Sequence, residues 1–174
     1  CESRVTESPL VLYEAAVYND AFALKGEYYD WVEIKNVSKE SEKLSDCCLS
    51  DDRKALDKWT LPNRTLGKGQ SILIYCTGEE DPTGTGVRAP FALNASSETL
   101  YLTKRGESAA ADYVWLHDIP YGRSMGRVDG ENGFSISGSR RRTSRTRPRL
   151  TAISPKRPRP TVPAGCTKRG RRCA

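Results

Sequence analysis

Apolar and polar residues alternate in short runs along most of this chain, and the runs are separated by clusters of Gly, Pro, Asn, Asp and Ser. In residues 29–36, Val32 and Ile34 alternate with Glu33 and Lys35, the period of two that buries one face of a strand and wets the other. Residues 10–17 read as an apolar opening strand, and 71–76, the most apolar run, as a central one. Shorter strands are predicted at 44–49, 59–61, around Phe91 and Leu93, around Leu100 and Leu102, and at 113–116 and 123–128. The polar stretches 19–27, 39–43, 51–58, 67–69, 78–86 and 104–106 read as loops and turns. No segment sustains a helical period. Such spacing predicts an all-β sandwich or barrel.

Charge divides the chain into two polymers. Residues 1–134 hold all 22 acidic residues against 15 basic ones, a net of −7, whereas 135–174 hold 13 basic residues and no acid. The overall +6 therefore belongs to the tail. No apolar run approaches the roughly 18 residues a membrane-spanning helix needs. Six cysteines are present, but Cys47 and Cys48 are adjacent and point to opposite faces of a strand, so they do not read as a disulfide framework. A pair between Cys76 and one of them stands beside the reading of small buried free thiols. Neither a cofactor nor a zinc site is expected, since no C-x-x-C spacing occurs.

At the level of motifs, residues 30–36 (Asp-Trp-Val-Glu-Ile-Lys-Asn), Leu44 with Ser45, 49–52 (Leu-Ser-Asp-Asp) and 59–62 (Trp-Thr-Leu-Pro) closely resemble the lamin tail domain in its bacterial form. Gly69 with Ile72, Leu73 and Ile74, then Phe91, Leu93, residues 98–102, Gly106, Asp112, and Tyr121, Gly122 and Arg123 follow in that family's order and approximate spacing. The resemblance covers about residues 9–134, after a linker of residues 1–8. It departs at Cys47 and Cys48, where the family usually has a turn glycine and an aromatic, and at Ser97, where a glycine is common. What it implies is an immunoglobulin-like β-sandwich, used at the nuclear lamina in animals and in secreted or surface-attached proteins in bacteria, with no known catalysis. Asp30, Trp31, Glu33, Asn36, Leu49, Ser50, Asp51, Asp52 and Trp59 are then structural motif residues. The expected role is a non-catalytic interaction or adhesion module, extracellular or at the cell surface, whose partner is a protein or cell-surface ligand. A lipid on Cys1 would tether it.

The family's domain closes with an aromatic strand ending in Glu-Pro-Thr-Pro, whereas this chain runs on from Phe134 into Ser-Ile-Ser-Gly-Ser-Arg-Arg-Arg. The closing strand is expected to be missing, leaving an unpaired edge and a dimer formed by edge pairing. Residues 133–142 can be written GGC TTC TCT ATT TCC GGG AGC CGA CGC CGG, and one T restored after the second codon yields Gly-Phe-Phe-Tyr-Phe-Arg-Glu-Pro-Thr-Pro. On this reading 135–174 is a frameshift product. On the rival reading it is a disordered basic arm in which Arg140, Arg141, Arg142, Arg145, Arg147 and Arg149 bind nucleic acid or another polyanion with strong salt dependence.

Other chemistry has weaker claims. Residues 122–126 match G-x-S-x-G around Ser124, yet an elbow serine needs an apolar strand before it, a helix after it and a downstream histidine, and the single histidine, His117, lies upstream. His117 with Asp112 or Asp118 could form a base pair for proton transfer, but such pairs at strand ends are ordinarily solvated. Asp51 with Asp52, residues 79–81 and residues 129–133 lack calcium-loop spacing. Trp31, Trp59 and Trp115 read as core or sheet-face residues. Sequons begin at Asn36, Asn63 and Asn94.

Overall fold

The apolar alternation becomes two principal sheets around one core in the computed structural model, which describes residues 8–20, 22–79, 87–94, 96–128 and 133–137. The strands are β1 (Leu10–Ala16), β2 (Ala23–Leu24), β3 (Glu27–Tyr28), β4 (Asp30–Asn36), β5 (Glu42–Lys43), β6 (Cys47–Ser50) and β7 (Trp59–Thr60). They continue as β8 (Thr65–Leu66), β9 (Ser71–Cys76), β10 (Arg88–Ala89), β11 (Ser97–Lys104), β12 (Ala110–His117), β13 (Ser124–Arg127) and β14 (Phe134–Ser137). A six-stranded sheet has the order β10-β9-β4-β1-β13-β14, and a four-stranded sheet has β12-β11-β6-β7. The short pairs β2-β3 and β5-β8 are separate ribbons. The described residues are all-β, and no helix among them is long and apolar enough to cross a membrane.

Alternation decides which side chains meet. Leu12, Val32, Ile34, Ile72 and Ile74 of the large sheet share one buried cluster with Leu49, Leu100, Leu102, Val114 and Leu116 of the small one. Cys47 joins that cluster, while Cys48 lies on the other face of β6 with its sulfur 3.7 Å from the Thr60 hydroxyl. Cys47, Cys48 and Cys76 are all free. Burial pushes the Cys47 thiol up to about 11 and the Cys76 thiol well above its usual range, so both stay protonated and unreactive at neutral pH.

Several expectations need correction. The 71–76 strand is β9, which lies next to the edge, because β10 adds beside it in parallel; β4 and β1 are the central pair. Residues 44–46 form a 3-10 turn rather than strand, with Leu44 anchored in the core. Phe91 and Leu93 are buried without belonging to a strand. The loop at 19–27 contains the β2-β3 ribbon. A strand does follow β13: β14 pairs with it from Phe134 to Ser137, past the boundary expected at residue 134. Phe134 packs against the core and beneath the Arg127 guanidinium, 4.7 Å from its ring centroid. The six basic residues assigned to polyanion binding, Arg140 to Arg149, and the sequence at 138–174 lie outside the described residues.

Candidate functional site

β1 is apolar except for Tyr13 and Glu14, and a register irregularity between Leu12 and Glu14 turns Glu14 away from the core. On the outer face of the large sheet Glu14 stands opposite Glu33 of β4 on one side and Gly126 of β13 on the other. Ala16 and Trp31 form the neighbouring pair. Directly opposed side chains on adjacent strands lie within contact distance, so two carboxylates share a small area. Both are buried, Glu14 at 6% and Glu33 at 3% exposure.

Hydrogen bonding of the pair is incomplete. The Ser124 hydroxyl donates to Glu14 Oε1, and one Glu33 oxygen accepts from Ser71, but Glu33 Oε2 and the Trp31 Nε1–H have no partner among the described residues. The Lys35 ammonium sits 3.9 Å from the Tyr13 ring centroid on the same side. Burial raises the Glu33 carboxyl above its ordinary 4.5; the Ser71 hydrogen bond opposes this, the facing Glu14 adds to it and Lys35 opposes it.

This raised value has a consequence for stability. With the folded-state value above the unfolded one, the native chain holds the Glu33 proton more tightly. The associated stability is fully present below about 4.5 and is lost as pH rises through the folded value. Asp30 and Glu98 are raised in the same direction, each chiefly by burial. Glu33→Gln is therefore expected to be more stable than wild type at pH 7, by about 1 kcal/mol, and to show a flatter rise in stability on acidification. Urea midpoints at pH 7 and pH 5 measure both; a Gln variant weaker at both would mean the carboxylate is better accommodated than its surroundings indicate.

The motif residues take structural positions. Asp30 Oδ1 accepts from the Tyr18 backbone N–H at 2.9 Å and holds Tyr18 at φ 60°. Asn36, fully buried, donates to the carbonyls of Glu40 and Leu66 at 2.8 Å each, which closes its sequon to modification. Ser50 and Asp52 tie off the turn after β6, Asp52 accepting from the Lys54 N–H and Asp51 pairing with Lys58. Leu49 is core and Trp59 packs half-buried against it.

The groups considered for catalysis do not converge. Ser124 is buried on β13 against Glu14, and His117 is on the other sheet, beside the exposed Asp118 at 3.2 Å and the Trp115 ring. Asp112 is absorbed by Arg127, whose Nη2 lies 2.7 Å from each carboxylate oxygen, and by the Leu12 N–H. No group of three or more His, Cys, Asp or Glu suited to a metal ion forms among the described residues. Glu80, Asp81 and residues 129–132 lie outside them.

A second feature is on β12. It pairs only with β11, so its other edge carries no strand among the described residues. On the outer sheet face of β12, Tyr113 is 57% exposed and Trp115 56%. Its indole donates to Ser97 Oγ at 2.9 Å and its ring lies 4.1 Å from that of His117. The sequence reading expected an exposed edge but did not place it at β12, and it missed the carboxylate pair, although a carboxylate inside the apolar run at 10–17 was the signal for Glu14. Set against models of known protein families and against curated protein sequences, the chain finds no match.

Proposed function

We propose that the chain is a non-catalytic, immunoglobulin-like β-sandwich of lamin-tail type, serving as an interaction module in a secreted or cell-surface protein, and that it docks an extended peptide segment along β12. The order of motifs from residue 30 to residue 123 supports the family reading, together with an all-β chain whose two sheets share a core. The observation that carries the function is the pairing of an open strand edge with two exposed aromatics on one strand. An open edge offers unpaired N–H and C=O groups to an incoming strand, and Tyr113 and Trp115 offer contact area beside it. Trp115 is held in place by Ser97 and His117, which lowers the entropy lost on contact.

Panning a random peptide library on the wild-type chain tests this. Enrichment of alternating apolar peptides is expected, with binding weakened at least about tenfold in Tyr113→Ser/Trp115→Ser. A library that yields no such peptides, or peptides that bind the double variant equally, would refute the proposal. The polyanion-binding alternative rests on the charge of 135–174 alone; it requires DNA binding that collapses with added salt and disappears when that segment is removed.

A further inference from the structure

On the large sheet, where β1 ends and β13 begins, a small open pocket is lined among others by Glu14, Tyr18, Asp20, Phe22, Trp31 and Arg123. Its interior has room for about one water-sized group. Phe22 and Trp31 wall it with their rings, edge to face and 5.4 Å apart between centroids, while the Trp31 N–H is sealed from solvent. Glu14 is the buried carboxylate here, at 6% exposure. Its Oε1 accepts from Ser124. Its Oε2 takes no hydrogen bond from a described residue and, unlike Glu33 Oε2, is not shut off from solvent.

Charge around the pocket is negative. Two lining carboxylates, Glu14 and Asp20, stand against one guanidinium, that of the exposed Arg123; Asp20 and Arg123 each have an interaction of their own. Glu33 faces Glu14 from the neighbouring strand, and residues 1–134 carry a net of −7. Such a field draws cations. Two exposed tyrosines lie at the rim, Tyr18 at 49% and Tyr121 at 74%, with ring centroids 6.2 Å apart at a tilt of 39°. Tyr18 sits at φ 60°, a strained position for a bulky residue, and is kept there by the Asp30 carboxylate. Tyr121 occupies the corner of a turn closed by the Arg123 N–H on the Pro120 carbonyl, with Gly122 at φ 68°, a conformation glycine alone adopts without strain.

We infer that this pocket takes a primary ammonium, the end of a lysine side chain or of a free alkylamine, whose methylene stem lies against Tyr18 and Tyr121. An ammonium is a compact charge with three donors. Glu14 Oε2 accepts from one of them, and the open mouth leaves the others to water. The tyrosines offer the cation their ring faces and the stem an apolar surface. A guanidinium is a broad plane that exceeds room for one water-sized group. A carboxylate or phosphate would meet Glu14 and Asp20 with like charge. A hydroxyl or a water can donate to Glu14 but leaves the negative charge uncompensated. This site is on a different sheet from β12, so it stands or falls independently of peptide docking.

Amide-detected NMR titration of the full chain with n-butylamine and with the capped peptide acetyl-Gly-Lys-Gly-amide tests it. At least one is expected to bind with a Kd of about 1–10 mM. Tighter binding of the peptide identifies a polypeptide lysine as the source, and tighter binding of butylamine a small amine. The same peptide with norleucine for lysine keeps the stem, lacks the charge and is expected to bind at least about tenfold more weakly. Glu14→Gln, nearly equal in shape, is expected to weaken amine binding at least about tenfold. Tyr121→Ala, at an exposed turn and so harmless to folding, is expected to weaken it about threefold and keeps the test decisive should Glu14→Gln disturb the sheet. Tyr113→Ser/Trp115→Ser is expected to leave it unchanged. No shift with either amine, as a pocket holding only water would give, equal binding of the norleucine peptide, or binding indifferent to Glu14→Gln and Tyr121→Ala overturns the inference.

Discussion

Asp112→Ala is expected to destabilise the chain by about 2–4 kcal/mol, a fall of roughly 10–15 °C in Tm. Asp112 projects from β12, in the small sheet, toward β1 and β13, in the large one. There it receives Arg127 Nη2 at 2.7 Å on both oxygens and the Leu12 N–H at 2.8 Å, while Arg127 Nε donates to the Leu12 carbonyl at 3.2 Å. Pairing between β1 and β13 begins at Glu14, so the Leu12 amide has no strand partner on that side and depends on the carboxylate. Removing Asp112 leaves both an amide and a guanidinium without their acceptor, in a place where the two side chains are only 15% and 19% exposed. A fully buried pair broken this way costs about 3–5 kcal/mol, and the residual exposure lowers the figure.

The variant series separates pairing from mere burial. Asp112→Asn keeps an acceptor for Leu12 and should cost less than Asp112→Ala, and Arg127→Ala added to Asp112→Ala should cost less than the two single effects summed, because each alone orphans the other. If Asp112→Ala unfolds in urea within about 0.5 kcal/mol of wild type, the two sheets are not joined through this cluster. The same residue had a sequence-level claim to proton transfer with His117. Its engagement by Arg127 and by the backbone shows what sequence spacing omits, namely which partner reaches a side chain first.

Legibility followed the range of the interactions. The alternation Val32, Glu33, Ile34, Lys35 and the run at 71–76 announced β4 and β9, since a half-buried strand imposes its period on adjacent residues. The position of β9 beside an edge was not legible, because β10 is two residues long and reaches it from a separate segment. Phe91 and Leu93 showed that two buried residues at a spacing of two need not be a strand. β14 escaped because its four residues, Phe-Ser-Ile-Ser, lack the aromatic alternation expected of a closing strand, yet pair with β13 through the backbone. The carboxylate pair was hidden more deeply. Glu14 and Glu33 meet only once the bulge in β1 sets the register, and without it Glu14 would turn toward the core. Trp115 is exposed because it projects from the face of β12 opposite to the buried Val114 and Leu116, and which of the two faces meets the other sheet is set by the packing of the sheets rather than by the local pattern.

Leu49→Ala is the second large effect, an expected loss of about 2–5 kcal/mol. Leu49 belongs to the motif 49–52 that carries the family resemblance, and two readings of such a motif diverge here: a binding residue or a packing one. Its side chain is fully buried on the inner face of β6, between Leu102 across the ladder on one side and Trp59 on the other. The cavity left by truncation cannot collapse easily, because β6 is held by β11 and β7 on both edges and by the Leu61 N–H bonded to the Cys47 carbonyl at 3.0 Å. Thermal and urea unfolding should show the loss directly, with peptide binding by the fraction still folded unchanged. The neighbouring Asp52→Ala removes only an exposed turn contact with the Lys54 N–H and should cost less than about 1 kcal/mol. Were Leu49→Ala to keep its stability and lose a ligand instead, the motif would be a contact surface, and the packing account of the resemblance would fail.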